Sequence, residues 1–128
     1  MRQRYLSAQY FAQELKTQIL NLVDELIEIL PNEKDILMAR IYFDMLDENR
    51  IIQGFLRHVV PQRNYIENKD ERYFTDNDYI FGDLPKDKVR HFKEIYEKDN
   101  MISKDDKEVI WEYFQIFIKI CDNYKKFE

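Results

Sequence analysis

Ser103 to Tyr124 reads S-K-D-D-K-E-V-I-W-E-Y-F-Q-I-F-I-K-I-C-D-N-Y, and the spacing of its apolar residues decides the fold. Ile110, Phe114, Phe117, Cys121 and Tyr124 recur in steps of four and three, which lines them up on one face of a helix. Val109, Tyr113, Ile116 and Ile120 form a second apolar line beside the first, so the helix is central or an interface. Trp111 falls off the main line and is either covered by another segment or displayed to a partner. Ser103 is placed as an N-cap, with Asp106 positioned to reach back and Asp105 and Asp106 at the positive helix end; Lys125 and Lys126 suit the negative end. Such a rod is ~30 Å long at about 1.5 Å per residue, enough to span a small domain.

Working outward, the chain of 128 residues predicts a single α-helical domain over residues 1–128 that can bury a core without disulfides or structural metal. Two glycines and three prolines are too few for the tight turns of an all-β chain. Aromatic residues reach 15%, and many lie outside the helical stripes. A net charge of -5 works against general nucleic-acid binding, which rests on clustered cations meeting phosphates. The single cysteine, Cys121, sits on the buried line and reads as a small core residue. No run approaches a membrane span, and Met1 to Phe11 has no apolar signal-peptide core, so the expected setting is intracellular, not secreted and not membrane-bound. The abundance of Ile, Lys, Asn, Tyr and Phe points to an A/T-rich genome.

From about Ser7 to Leu30, Phe11, Leu15, Ile19, Leu22, Leu26 and Leu30 predict a first long helix that Pro31 ends. Asn32 is the expected cap of a second helix carrying Ile36, Ala39, Phe43 and Leu46, antiparallel to the first. A third is expected from Arg50 to about Val60, with Gly54 letting another helix approach closely. Pro85 suits the first turn of a fourth, with Val89, Phe92, Ile95 and Tyr96 inward; Asp99 and Asn100 break it before the last. The expectation is an all-α fold of about five helices.

Gln62 to Leu84 breaks the pattern. It shows no sustained period beyond one helical turn near Tyr65 to Lys69, yet holds Tyr65, Tyr73, Phe74, Tyr79 and Phe81 among acidic residues. A loop of this length in a small domain is functional or tied down by its own side chains. As a functional surface, those five aromatics are candidate partner-binding residues, because protein interfaces enrich rigid rings beside charges. Otherwise they cover the end of the core.

Other chemistry is thin. Asp70, Glu71, Asp76, Asp78 and Asp83 invite a calcium reading, but a loop starting at Asp76 would need a ligand at Ile80 and a glycine at Phe81, so no metal is expected. His58, His91 and Cys121 are too scattered for a zinc motif. Ser7 and Ser103 read as caps, and neither a phosphate cradle nor a nucleophile arrangement emerges; no cofactor or enzymatic activity is expected, although an acid site assembled in three dimensions stays open. Arg57, Arg63, Lys69 and Arg72 could touch phosphates, as could a second group at Lys86, Lys88, Arg90 and Lys93, with acidic neighbours diluting the field.

The blocks F-L-R-H-V-V-P, N-K-D-E-R-Y-F-T-D-N-D-Y, L-P-K-D-K-V-R-H-F-K-E-I-Y and V-I-W-E-Y-F resemble small uncharacterised proteins of nucleocytoplasmic large DNA viruses of the mimivirus and algal-virus kind. The likeness runs from about Ile27 onward. Its most specific parts are Asp70, Glu71, Phe74, Asn77 and Asp78, and Val109 to Phe114. It implies an intracellular, virus-encoded origin and carries over no catalytic residue. The reading that follows is a non-enzymatic adaptor or minor virion component docking a protein partner through residues 65–81, with oligomeric state open. The alternative is a nucleic-acid-associated protein using basic positions around 57–72.

Overall fold

The computed structural model describes residues 2–98 and 101–128, and among them the fold is all-α. The helices are α1 (Arg2–Ile29), α2 (Lys34–Met45), α3 (Glu48–His58), α4 (Arg63–Glu67), α5 (Arg72–Thr75), α6 (Lys86–Glu97) and α7 (Lys104–Phe127), with a 3-10 turn at Val60–Gln62. The break expected at Asp99 and Asn100 lies outside the described residues.

α1 and α7 form the axis of the molecule. They run antiparallel: Phe11 near the start of α1 stacks on Phe127 at the end of α7, while Glu25 accepts a hydrogen bond from Tyr113 at the opposite end. Ala12, Leu15 and Ile19 of α1 are fully covered, as are Phe114 and Phe117 of α7. Burial of such side chains supplies roughly 1.5–3 kcal/mol each. α2 lies antiparallel on α1, held by Lys16 donating to the Asp44 and Leu46 carbonyls and by Arg40 bonding Asp24.

Local chemistry explains most boundaries. Ser103 Oγ accepts the Asp106 N–H at 3.0 Å, which starts α7 as expected. Pro31 stops α1 at Ile29, but α1 begins at Arg2, earlier than the Ser7 the spacing indicated. The cap of α2 is Glu33 rather than Asn32, and it makes no side-chain capping bond. α3 runs from Glu48 to His58, after which Pro61 lets the chain tighten into the 3-10 turn instead of extending the helix.

The segment after α3 is more regular than its sequence indicates, because α4 and α5 are too short to display a period. Asp70 Oδ1 accepts the Arg72 N–H at 3.0 Å to begin α5, and Asn77 Oδ1 accepts the Tyr79 N–H at 2.9 Å to turn the chain afterwards. α5 carries Phe74 into the middle of the core, where its ring centre lies 4.5 Å from Tyr96, 4.6 Å from Trp111 and 5.4 Å from Phe114. Trp111 is therefore covered by this segment. The buried band of α7 is accordingly displaced from the second line read in the sequence: Trp111 and Ile118 are inside, whereas Ile116 is exposed.

The two glycines of the chain meet each other. Gly54 was expected to admit a helix; it admits the turn at Gly82 and Asp83. A Cβ on Gly54 would sit 2.9 Å from Asp83 Oδ2, and one on Gly82 would sit 3.1 Å from the Phe55 ring and 3.2 Å from the Gly54 carbonyl carbon. Gly82 also has a φ of +72°, a region L side chains disfavour.

Candidate functional site

The five ring residues anticipated as a docking surface divide into two groups. Tyr73, Phe74 and Phe81 are core residues, at 1%, 0% and 5% exposure, and cannot present themselves to a partner. The cause is the position of α5 and the 81–84 turn over the gap between α6 and α7. The Tyr73 hydroxyl donates to the Ile80 carbonyl at 2.7 Å, and Phe81 packs on Phe92 and Phe114. Tyr65 and Tyr79 alone of the five reach solvent, and both are engaged. The Arg72 guanidinium lies over the Tyr65 ring, and His58 stacks on Tyr79 with centres 4.1 Å apart.

The candidate phosphate-contacting cations are each answered by a carboxylate of the same chain. Arg57 pairs with Asp83, Arg63 with Asp122 and Glu67, Lys69 with Glu108, and Arg72 with Asp70. Hydrogen bonds from the Arg72 side chain and backbone hold Asp70 below its usual carboxylate range. The structure thus does not bring these four together as an open basic patch. In the second group, Lys88 pairs with Asp35, Lys93 with Asp78, and Lys86 lies over Tyr79.

Asp70, Asp78 and Asp83 are likewise paired with cations, and no group of three metal-ligating side chains occurs among the described residues. His91 bonds Glu33 at 2.9 Å, and His58 lies 3.2 Å from Asp83. The Cys121 thiol is pushed up to about 12, first by burial and then by Asp122, so it is a packing group rather than a nucleophile. Between α1, α2 and α6 a slot lined by Val23, Leu26, Ile36, Phe43, Phe81 and Phe92 holds about 30 Å³, room for about one water and too little for a substrate.

One surface stands out beside these pairings. The inner face of α2 is occupied, with Ile36 and Phe43 buried against the core. Its outer face nevertheless carries Leu37, Met38, Ile41 and Met45, exposed at 41%, 53%, 54% and 81%. Spacings of three and four place them on one stripe, with Lys34 at its head. Only Lys34, Asp35, Arg40 and Asp44 among the twelve residues of α2 are charged. A helix that is apolar on both sides is ordinarily covered on both sides. The sequence carries this signal as an excess of apolar residues on α2 beyond Ile36, Ala39, Phe43 and Leu46, the four expected inward. No family model, curated protein or solved structure matches the chain.

Proposed function

We propose that this chain is a non-enzymatic interaction protein whose docking surface is the outer face of α2. The observation that carries the reading is the stripe Leu37, Met38, Ile41 and Met45, left in water by a helix whose other side is already packed. Rows of large apolar side chains on one element are how helices present themselves to grooves and to other helices. This moves the docking surface from residues 65–81 to α2, since three of the five rings there belong to the core. The internal pairing of Arg57, Arg63, Lys69 and Arg72 favours protein docking over phosphate recognition. The resemblance to proteins of large DNA viruses supports a virus-encoded adaptor or minor virion component.

A photo-activated cross-linking residue placed at Met45, and separately at Tyr79, tests this in the cell that produces the protein. Discrete adducts from the Met45 probe, abolished by Ile41→Glu without a fall in melting temperature, are expected. Adducts from the Tyr79 probe alone, or Met45 adducts indifferent to Ile41→Glu, would overturn it.

A further inference from the structure

We infer that the occupant of the α2 face is a second copy of this chain, packed α2 against α2 in antiparallel sense about a twofold axis near Ile41. The inference rests on the docking surface proposed above and names its partner. Charge at the two ends of the stripe selects both this occupant and this sense.

Lys34 opens α2 on the same line as Leu37, Met38, Ile41 and Met45. A cation there opposes the positive end of the helix dipole, and no carboxylate of the chain approaches it among the described residues. At the other end stand Asp44, whose only cation among the described residues is Arg40 at 3.5 Å, and Asp47, whose side chain makes no capping bond to α3. The stripe is thus apolar in the middle, positive at its start and negative at its finish. Such a pattern complements itself when two copies run in opposite directions. Lys34 of each copy then meets the Asp44 and Asp47 end of the other, the helix dipoles oppose, and Leu37 and Met45 exchange places across the axis. A twofold contact requires this self-complementarity, in which residue i meets j and j meets i. A parallel arrangement would set Lys34 against Lys34 and is disfavoured.

Four apolar side chains and their flanks make a small interface, below the roughly 1,600 Å² of a standard one, so a dissociation constant on the order of 10 µM is expected rather than a permanent dimer.

Analytical ultracentrifugation of the purified chain over a concentration series, with two charge-reversed variants, supplies the test. Lys34→Glu sets acid against acid, and Asp44→Lys combined with Asp47→Lys sets base against base; each is expected to weaken self-association roughly tenfold. Mixed together they restore both ion pairs, so the mixture is expected to dimerise as the parent does. Circular dichroism verifies that the variants fold. A second measurement does not depend on charge reversal: Ile41→Cys, treated with a short bismaleimide, is expected to give a covalent dimer, while Thr17→Cys on α1 is not. A parent chain that stays monomeric at several hundred micromolar (about 30 times the expected constant) overturns the inference, as does a dimer indifferent to the charge variants or a mixture that remains monomeric. If the parent is monomeric while the Met45 probe still captures another protein, the second copy is wrong and the docking face stands; if the probe captures nothing, both fall.

Discussion

Gly82 is the residue on which the placement of the whole 76–84 turn depends. Its positive φ disfavours any L side chain, and a methyl group there would press on the Phe55 ring at 3.1 Å and the Gly54 backbone at 3.2 Å, tighter than ordinary contact. At Gly54 the nearest atom is the end of the Asp83 side chain, which can swing aside. Gly82→Ala is therefore expected to cost about 2–3 kcal/mol and Gly54→Ala about 1 kcal/mol or slightly more, measured by urea denaturation. Equal costs would mean that the backbone contact is not the limiting feature. Sequence alone flagged Gly54 as a close approach, correctly in kind. It could not name the approaching element, because the partner is a turn 28 positions further on and turns advertise no register.

At the scale of the element, α5 shows why the middle of the chain was hard to read. Four residues make barely one turn, and their burial is set by α6 and α7 rather than by any local period. Tyr73 and Phe74 therefore looked like loop aromatics when they are the pieces that close the core. Phe74→Ala is expected to destabilise the protein by about 3–5 kcal/mol, whereas Tyr79→Ala, removing a half-exposed ring stacked on His58, should cost about 1 kcal/mol or less. Thermal denaturation of the two variants separates core from surface directly, and comparable shifts would contradict the burial described above. α1, α6 and α7 were legible because long stripes average out local exceptions: every residue expected inward on α6 is buried. The outer face of α2 was not singled out, since periodicity reports which residues face a core and is silent on why others are apolar too.

Taken as a whole, the molecule holds several protons more tightly when folded than when unfolded. Burial raises the Tyr73 phenol well above its ordinary 10.0, raises Tyr96 with help from Glu71, and moves the Cys121 thiol from 9.0 to about 12. For such groups the unfolded chain releases its proton first, so the stability they contribute is fully present below about pH 9 and is lost as the pH climbs toward the folded values. The loss is roughly 1.4 kcal/mol per pH unit for each group in that window. The urea midpoint is expected to be level from pH 7 to 8.5 and to fall steeply between about pH 9 and 12. Tyr96→Phe and Cys121→Ala should each make that decline shallower; a decline that neither alters would locate its origin elsewhere. The all-α class and the single connected core followed from composition and periodicity, while the pairing of each loop cation with its own carboxylate depended on distances no linear string records.

The meeting of Gly54 with Gly82 has one more implication. Among the contacts around the pair, the one between the Gly82 Cβ position and the Gly54 main chain offers no rotamer to shift, so crowding there has to be taken up by the backbone itself. Anyone redesigning this scaffold inherits the two sites as an indivisible unit: they are kept together, or the span between them is rebuilt from the beginning.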